Sequence, residues 1–318
     1  MKKYLIGVDV GGTSIKFGRF SLEGDLIEKW NIRTNHKDQG EYIITDIVKS
    51  LKSQVEISEI FGIGIGVPGP VKDDLIIHCV NLNWGTKNIK EEMKSLLQRE
   101  DIIIKIGNDA NVAAAGEMYK GSAKGYKNVV MYTLGTGIGG GIIIDGKPLE
   151  GVNGAGAELG HIVVDFKHNY RCACGKTGCL ETVSSATGIV RLAKEYLIHF
   201  KARSPLRHFE NFSAKKVFDY AKEGDYISRK IIEESMKYLA LAIANVSLTI
   251  DPEIIIIGGG VSNAGGYLID MINKFYPSFS SPFIKKANIQ LATLGNDAGI
   301  YGCAYLVKWW NLKFLIKM

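Results

Sequence analysis

From Tyr4 to Phe20 the chain reads YLIGVDVGGTSIKFGRF: an apolar run, a pair of glycines, then Ile15 and Phe17 alternating with Lys16 and Gly18. The apolar run predicts a buried strand, and the period-two alternation after the glycine turn predicts a second strand returning beside it. Much later, VVMYTLGTGIGGGIIIDGK repeats the grammar of apolar strand, glycine turn and apolar strand, and closes on an Asp145-Gly146 turn. Two halves built on one hairpin plan are expected. Between them, FGIGIGVPGPV and DIIIKIGNDANVAAAGEMYKG each predict a strand ending in a loop, the second running into a small-residue helix from about Val112 to Tyr119. Helical periodicity returns from about Tyr226 to Thr249, and PEIIIIGGG reads as a buried strand stopping at three glycines. Strands alternating with helices predict an α/β fold.

With 318 residues the chain is long for one hydrophobic core, so two α/β domains are expected. The boundary is drawn near Asp109: a smaller domain over 1–108, with a last helix over about 298–318 packing back on it, and a larger one over 109–297. A composition of 46% hydrophobic and 23% charged residues is that of a globular chain and argues against disorder. MKKYLIGVDVGG runs from a short apolar stretch straight into acidic and glycine residues, so no signal peptide is expected. Apolar runs such as EIIIIG fall far short of the ~20 residues that span a bilayer, and a cytoplasmic location with no membrane partner follows. The net charge of +6 is scattered, and pairs such as Lys215/Lys216 and Lys285/Lys286 read as solvated helix faces. No nucleic-acid partner is expected.

Gly135, Gly137 and Gly140 match the spacing of a dinucleotide fingerprint, but that motif needs a helix immediately afterwards, and here a strand follows. Strand, glycine turn and strand instead present backbone N–H groups at close range to phosphate oxygens. The first hairpin offers Gly11 and Gly12, hydroxyls at Thr13 and Ser14, a cation at Lys16, and Asp9 where a hydrated Mg²⁺ is expected. The second offers Gly135, Thr136 and Gly137, and Gly258, Gly259 and Gly260 form a third glycine stop. Tight hairpins without a ligand are the competing reading; their repetition favours nucleotide binding.

IGVDVGGTSIK, GIGVPGPV, GNDANVAAAGE, LGTGIGGGII, GAGAELGHIVV, CACGKTGCLE and IIIIGGGVS stand in the order and spacing of the ROK family of sugar kinases, which the chain resembles over nearly its whole length. Within that family the motifs look most like those of bacterial glucokinases. The resemblance implies the actin-like ATPase (ribonuclease H-like) fold, two related α/β domains around a cleft. It also implies ATP-dependent phosphorylation of a hexose at its 6-hydroxyl, with glucose the leading acceptor and a homodimer or higher homo-oligomer the expected assembly. N-acetylmannosamine, N-acetylglucosamine, fructose, mannose and allose are alternative acceptors on the same scaffold. A sugar-responsive transcription regulator would carry a winged-helix module before the first hairpin, which here begins at residue 4.

Asp109 follows an apolar strand and precedes a helix, so a helix N-cap is its plain reading. The resemblance makes it instead the catalytic base that takes the 6-hydroxyl proton, with Asn108 hydrogen-bonding the sugar, Gly69 lining the same pocket and Asn81 a weaker candidate. His161, Cys172, Cys174 and Cys179 supply one imidazole and three thiolates, the complement of a closed tetrahedral Zn²⁺ site, structural because no position stays open for water. Disulfides compete poorly, since three clustered cysteines leave one unpaired. Cys79 and Cys303 read as plain buried thiols. Glu158 and Glu181 flank the metal ligands and match the family's sugar contacts, with the second ring nitrogen of His161 as a further contact. The hairpins around Asp9, Thr13 and Thr136 read as elements separate from this knuckle, so losing the metal is expected to weaken nucleotide binding much less than sugar binding.

Overall fold

The computed structural model describes residues 2–283 and 285–316. In chain order the elements are β1 (Tyr4–Val10), β2 (Ser14–Ser21), β3 (Leu26–Arg33), α1 (Ile43–Gln54), β4 (Ile60–Val67), β5 (Val71–Lys72), β6 (Leu75–Ile76), α2 (Ile89–Leu97), β7 (Ile103–Asn108) and α3 (Asp109–Lys120). They continue with β8 (Val129–Leu134), β9 (Ile138–Ile144), β10 (Lys147–Pro148), α4 (Glu181–Ser184), α5 (Ala186–His199), α6 (Ala214–Lys222), α7 (Tyr226–Ile250), β11 (Ile254–Gly258), α8 (Gly266–Phe279), β12 (Asn288–Leu291) and α9 (Ala298–Ile316). The last two positions of the expected terminal helix, 317 and 318, lie outside the described residues. No described helix is long and apolar enough to cross a membrane.

Two five-stranded sheets carry the repeat, ordered β3-β2-β1-β4-β7 and β10-β9-β8-β11-β12. In the first, β1 runs antiparallel to β2 and parallel to β4. In the second, β11 lies parallel to both β8 and β12. Each sheet therefore places a glycine hairpin on one side of its central strand and parallel strands on the other, as the repeated pattern predicts. By packing the chain forms two compact units, 1–127 with 141–157 and 293–318, and 128–140 with 158–292.

In the first unit, one face of the sheet buries Ile6, Val8, Val10, Phe17, Ile63 and Ile65 against Ile43, Ile44, Ile47 and Leu51 of α1. Those α1 positions recur at helical spacing, which is why the segment folds as an amphipathic helix. The other face carries Leu5 and Phe20 against Ile300, Ala304 and Val307 of α9. Glycines let that helix lie directly on the strands. A Cβ on Gly7 would stand 2.1 Å from the Ile300 carbonyl oxygen, and one on Gly64 would stand 1.8 Å from that of Cys303. Helix α3 meets α9 in the same way, through Gly116 against Ala298 and Gly302 against Val112.

The second unit is built on α7, whose predicted span from about Tyr226 is met by a helix capped by Asp225, its carboxylate accepting from the Ser228 N–H at 2.8 Å. Strand β11 is buried throughout, as a strand covered on both faces must be.

Gly64→Ala is expected to destabilise the protein by about 3 kcal/mol, because neither backbone can retreat. Gly85→Ala, where a Cβ meets nothing within 4 Å, is the control and should shift stability by less than about 0.5 kcal/mol. Urea denaturation of both variants checks the pair.

Candidate active site

The β1–β2 turn runs through Gly11, Gly12 and Thr13, closed by the Gly11 N–H donating to the Ser14 carbonyl at 3.1 Å. Asp9 and Lys16 are cross-strand partners, and the Lys16 Nζ lies 3.6 Å from Asp9 Oδ2 while donating to the Asn296 carbonyl at 3.1 Å. The α9 approach brings Gly299 so close that a Cβ there would stand 2.7 Å from Asp9 Oδ2. Burial pushes the Asp9 carboxyl above the usual carboxylate range, with Lys16 pulling the other way.

Asn108 ends β7 and takes the N-cap position of α3, which the plain sequence reading gave to Asp109. Its Oδ1 accepts from Ala110 N–H at 3.0 Å and Asn111 N–H at 3.1 Å, and its Nδ2 donates to the Gly69 carbonyl at 3.1 Å. Asp109 is thus the first helical residue, half-buried, with Oδ1 accepting from the Ala110 N–H at 2.8 Å. Gly69 is required where it stands, since a Cβ would lie 2.3 Å from the His78 carbonyl. Next to it, Cys79 is fully buried, and its thiol is pushed up to about 11 by burial first and by the charge of Asp109 third, after a backbone N–H that pulls it down. Cys303 is buried as well. Asn81 is exposed in the short turn Val80–Leu82.

The second hairpin turns through Gly135, Thr136 and Gly137, with the Gly135 N–H donating to the Gly137 carbonyl at 2.9 Å. Gly259, at φ +81°, would carry a Cβ 2.5 Å from the Leu134 carbonyl, so only glycine brings β11 to this turn. Beside it opens a cavity of about 470 Å³ lined by Gly135, Thr136 and Gly260 together with Ser213, Phe218 and the Lys215–Asp219 ion pair, which closes at 2.6 Å. Sequence reading missed the α6 residues: their pattern is that of an ordinary amphipathic helix. A larger, more open depression of about 680 Å³ includes Arg203, Arg207 and His208. The Arg207 guanidinium there is already engaged by the carbonyls of Leu197, Phe200 and Ala202.

The cysteine knuckle assembles as expected. The ligand atoms of His161, Cys172, Cys174 and Cys179 all lie within 4.8 Å of one another. His161 Nδ1 is 3.4 Å from Cys172 Sγ, and Cys174 Sγ is 3.6 Å from Cys179 Sγ. A tetrahedral Zn²⁺ with bonds of about 2.3 Å to sulfur and about 2.0 Å to nitrogen needs ligand edges of about 3.5–3.8 Å, so these two edges and the Cys₃His donor chemistry suit the ion. Gly175 and Gly178, at φ +89° and +83°, make the turns that fold three thiols onto one point. With Nδ1 turned to the sulfurs, His161 Nε2 lies 3.9 Å from Glu158 Oε2.

Glu181 corrects one expectation. Its Oε2 accepts from the Ile138 N–H of the second hairpin at 3.2 Å, and its Oε1 lies 3.2 Å from Cys172 Sγ. A Cβ on Gly137 would meet Glu181 Oε2 at 2.4 Å, and one on Gly160, beside His161, would meet the Ile138 carbonyl at 2.1 Å. The knuckle and this hairpin are therefore tied to each other, which sequence spacing does not reveal.

Two related sheets, each with a glycine hairpin, and a Cys₃His knuckle against the second hairpin define the actin-like ATPase fold in the form that sugar kinases use. The chain belongs to the ROK family, whose model matches residues 5–309. It is 40% identical to the glucokinase of Halalkalibacterium halodurans, over 96% of this chain and 95% of that one. It is 29% identical to an N-acetyl-D-glucosamine kinase of Pectobacterium carotovorum, over 94% and 97%. Among solved structures, a ROK family glucokinase from Streptomyces griseus in complex with glucose and AMPPNP is similar at 30% identity and a TM-score of 0.74, covering 95% of this chain and 98% of that one.

Cys174→Ser should lower zinc from about one ion per chain, read by elemental analysis. Through Glu181 and Gly160 it should weaken ADP binding as well as sugar binding. A metal-depleted variant that keeps wild-type ADP affinity in calorimetry would show that the tie carries no energy.

Proposed function

We propose that this protein transfers the γ-phosphoryl group of ATP to the 6-hydroxyl of a hexose, with glucose as the acceptor. The observation that carries the reading is the 40% identity to a glucokinase over 96% of the chain, beside a family match over residues 5–309 that includes both hairpins, Asp109 and the knuckle. Phosphoryl transfer asks a protein chiefly to place the acceptor in line, neutralise phosphate charge and accept one proton.

Asp109 is assigned the proton. Its carboxylate stands at the start of α3, where Oδ1 accepts from the Ala110 N–H at 2.8 Å, an N–H shared with the Asn108 cap. The O6 lone pair attacks the γ-phosphorus, the bond to the β,γ-bridging oxygen breaks, and the O6 proton passes to Asp109 and then to water. ADP and the sugar 6-phosphate leave. Asn108 has one Nδ2–H beyond its bond to Gly69 with which to meet a sugar hydroxyl. Glu158, His161 and Glu181 are assigned to the ring hydroxyls, with Gly69 giving the sugar room.

The amides around Gly11, Gly12, Thr13, Gly135, Thr136 and Gly137 are assigned to the phosphates, and the cavity beside Phe218 and Gly260 to the nucleoside. Asp9, a half-buried carboxylate with Lys16 beside it, is of the kind that would help hold a largely hydrated Mg²⁺. When bound, Mg²⁺ neutralises the β- and γ-phosphate oxygens. His161, Cys172, Cys174 and Cys179 would hold a structural Zn²⁺, and the homodimer or higher homo-oligomer implied by the resemblance belongs to the same proposal.

Asp109→Asn keeps the shape and the hydrogen bonding but cannot take the proton. It should bind glucose with unchanged affinity while kcat falls by at least about a hundredfold, measured by calorimetry beside a coupled ADP assay. Retention of more than about a tenth of wild-type kcat would leave Asp109 as no more than the first residue of a helix.

A further inference from the structure

The two hairpins share a feature that the assigned residues leave unexplained: their carbonyls are held from behind. In the first hairpin the Thr34 hydroxyl donates to the Gly11 carbonyl at 2.6 Å, His36 Nε2 contacts the Gly12 carbonyl, and the Thr34 N–H donates to the Thr13 carbonyl at 3.0 Å. Three successive carbonyls are thus drawn toward one short segment, residues 34–36. A trans peptide places its N–H opposite its C=O. The N–H groups of Gly12, Thr13 and Ser14 therefore each point away from the carbonyl held by that segment.

The second hairpin repeats the device with different residues. The Ala186 N–H donates to the Gly135 carbonyl at 2.8 Å, and the Thr187 hydroxyl donates to the Thr136 carbonyl at 2.7 Å. The N–H groups of Thr136 and Gly137 are turned the opposite way by the same peptide geometry. In each half, then, a threonine hydroxyl from a neighbouring element fixes one glycine-turn carbonyl. Glycine needs such a brace more than any other residue, because both its φ ranges are open. The two braces differ in setting: Thr34 is 4% exposed, whereas Thr187 is on the surface.

We propose that Thr34, assisted by His36, and Thr187 are positioning residues that hold the two glycine hairpins in phosphate-binding form by fixing their carbonyls from behind. Neither threonine touches phosphate in this account; both act through the orientation of the turn amides. A turn released from its brace still folds as a hairpin but samples peptide flips that aim carbonyl oxygens at the phosphates. The inference rests on the assignment of these hairpins to the nucleotide.

Thr34→Val keeps the shape and the backbone N–H while removing the hydroxyl. Titration of the full chain with ADP and Mg²⁺ should show a Kd raised about three- to tenfold, the range expected for one lost hydrogen bond, and Thr34→Ser should return it to within about twofold of wild type. Glucose affinity should not change, and in turnover the loss should appear in the KM for ATP and not in kcat. Thr187→Val should act in the same direction by a smaller factor, since water competes for its carbonyl. Should Thr34→Val fold poorly, His36→Ala, at an exposed side chain, reads the same brace. A folded Thr34→Val or His36→Ala with wild-type ADP affinity, or an equal loss of glucose affinity, overturns the brace while leaving the kinase reading intact. A wild-type protein that binds no ADP overturns both.

Discussion

Backbone lying against backbone at glycine is the contact on which the rest of this structure depends. Gly7 and Gly64 let α9 settle onto the central strands of the first sheet, and that approach carries Gly299 up to the Asp9 carboxylate. In the second unit, Gly259 admits β11 to the end of β8, and Gly160 and Gly137 let the knuckle and Glu181 close on the second hairpin. A side chain at any of these places would occupy the space of a carbonyl or a carboxylate oxygen. The glycines of this chain therefore serve two purposes that sequence reading merges. Some stand in open turns, as Gly12 and Gly260 do with nothing near their Cβ positions, and others bring one main chain onto another.

That distinction shapes the chemistry. Phosphoryl transfer leaves little for side chains to do except hold charge and geometry, so the precision of the turns matters more than the number of catalytic groups. The second hairpin is held by a carboxylate at Ile138 and by two groups behind Gly135 and Thr136. One of those holders, Glu181, also borders the cysteine cluster. A metal at that cluster would thus bear on the turn as well as on His161.

Much of this was legible in the sequence because the signals are local. The two hairpins, the long α7 and the cysteine knuckle each announce themselves within a few residues, through period, glycine placement or ligand spacing, while the helix expected from about Val112 begins a turn earlier, at Asp109. What could not be read was set by approach between distant segments. Thr34 and His36 stand in an unremarkable stretch, NIRTNH, and matter only because β3 ends behind the first turn. Phe218 and Lys215 look like any amphipathic helix until the cavity is seen beside them. The tie between the knuckle and the second hairpin is hidden for the same reason, since Glu181 and Ile138 meet at 3.2 Å across 43 positions of chain. The N-cap that the local sequence offers to Asp109 belongs to Asn108, one residue earlier.

The central claim is that the site selects glucose and phosphorylates it from ATP, and a comparison of kcat/KM for glucose and for N-acetylglucosamine under ATP tests it most directly. The account predicts a value for glucose at least about tenfold higher, equivalent to about 1.4 kcal/mol of transition-state preference. A preference of that size for the N-acetylated sugar would contradict the acceptor assignment, and no ADP release with either sugar would contradict the kinase assignment itself.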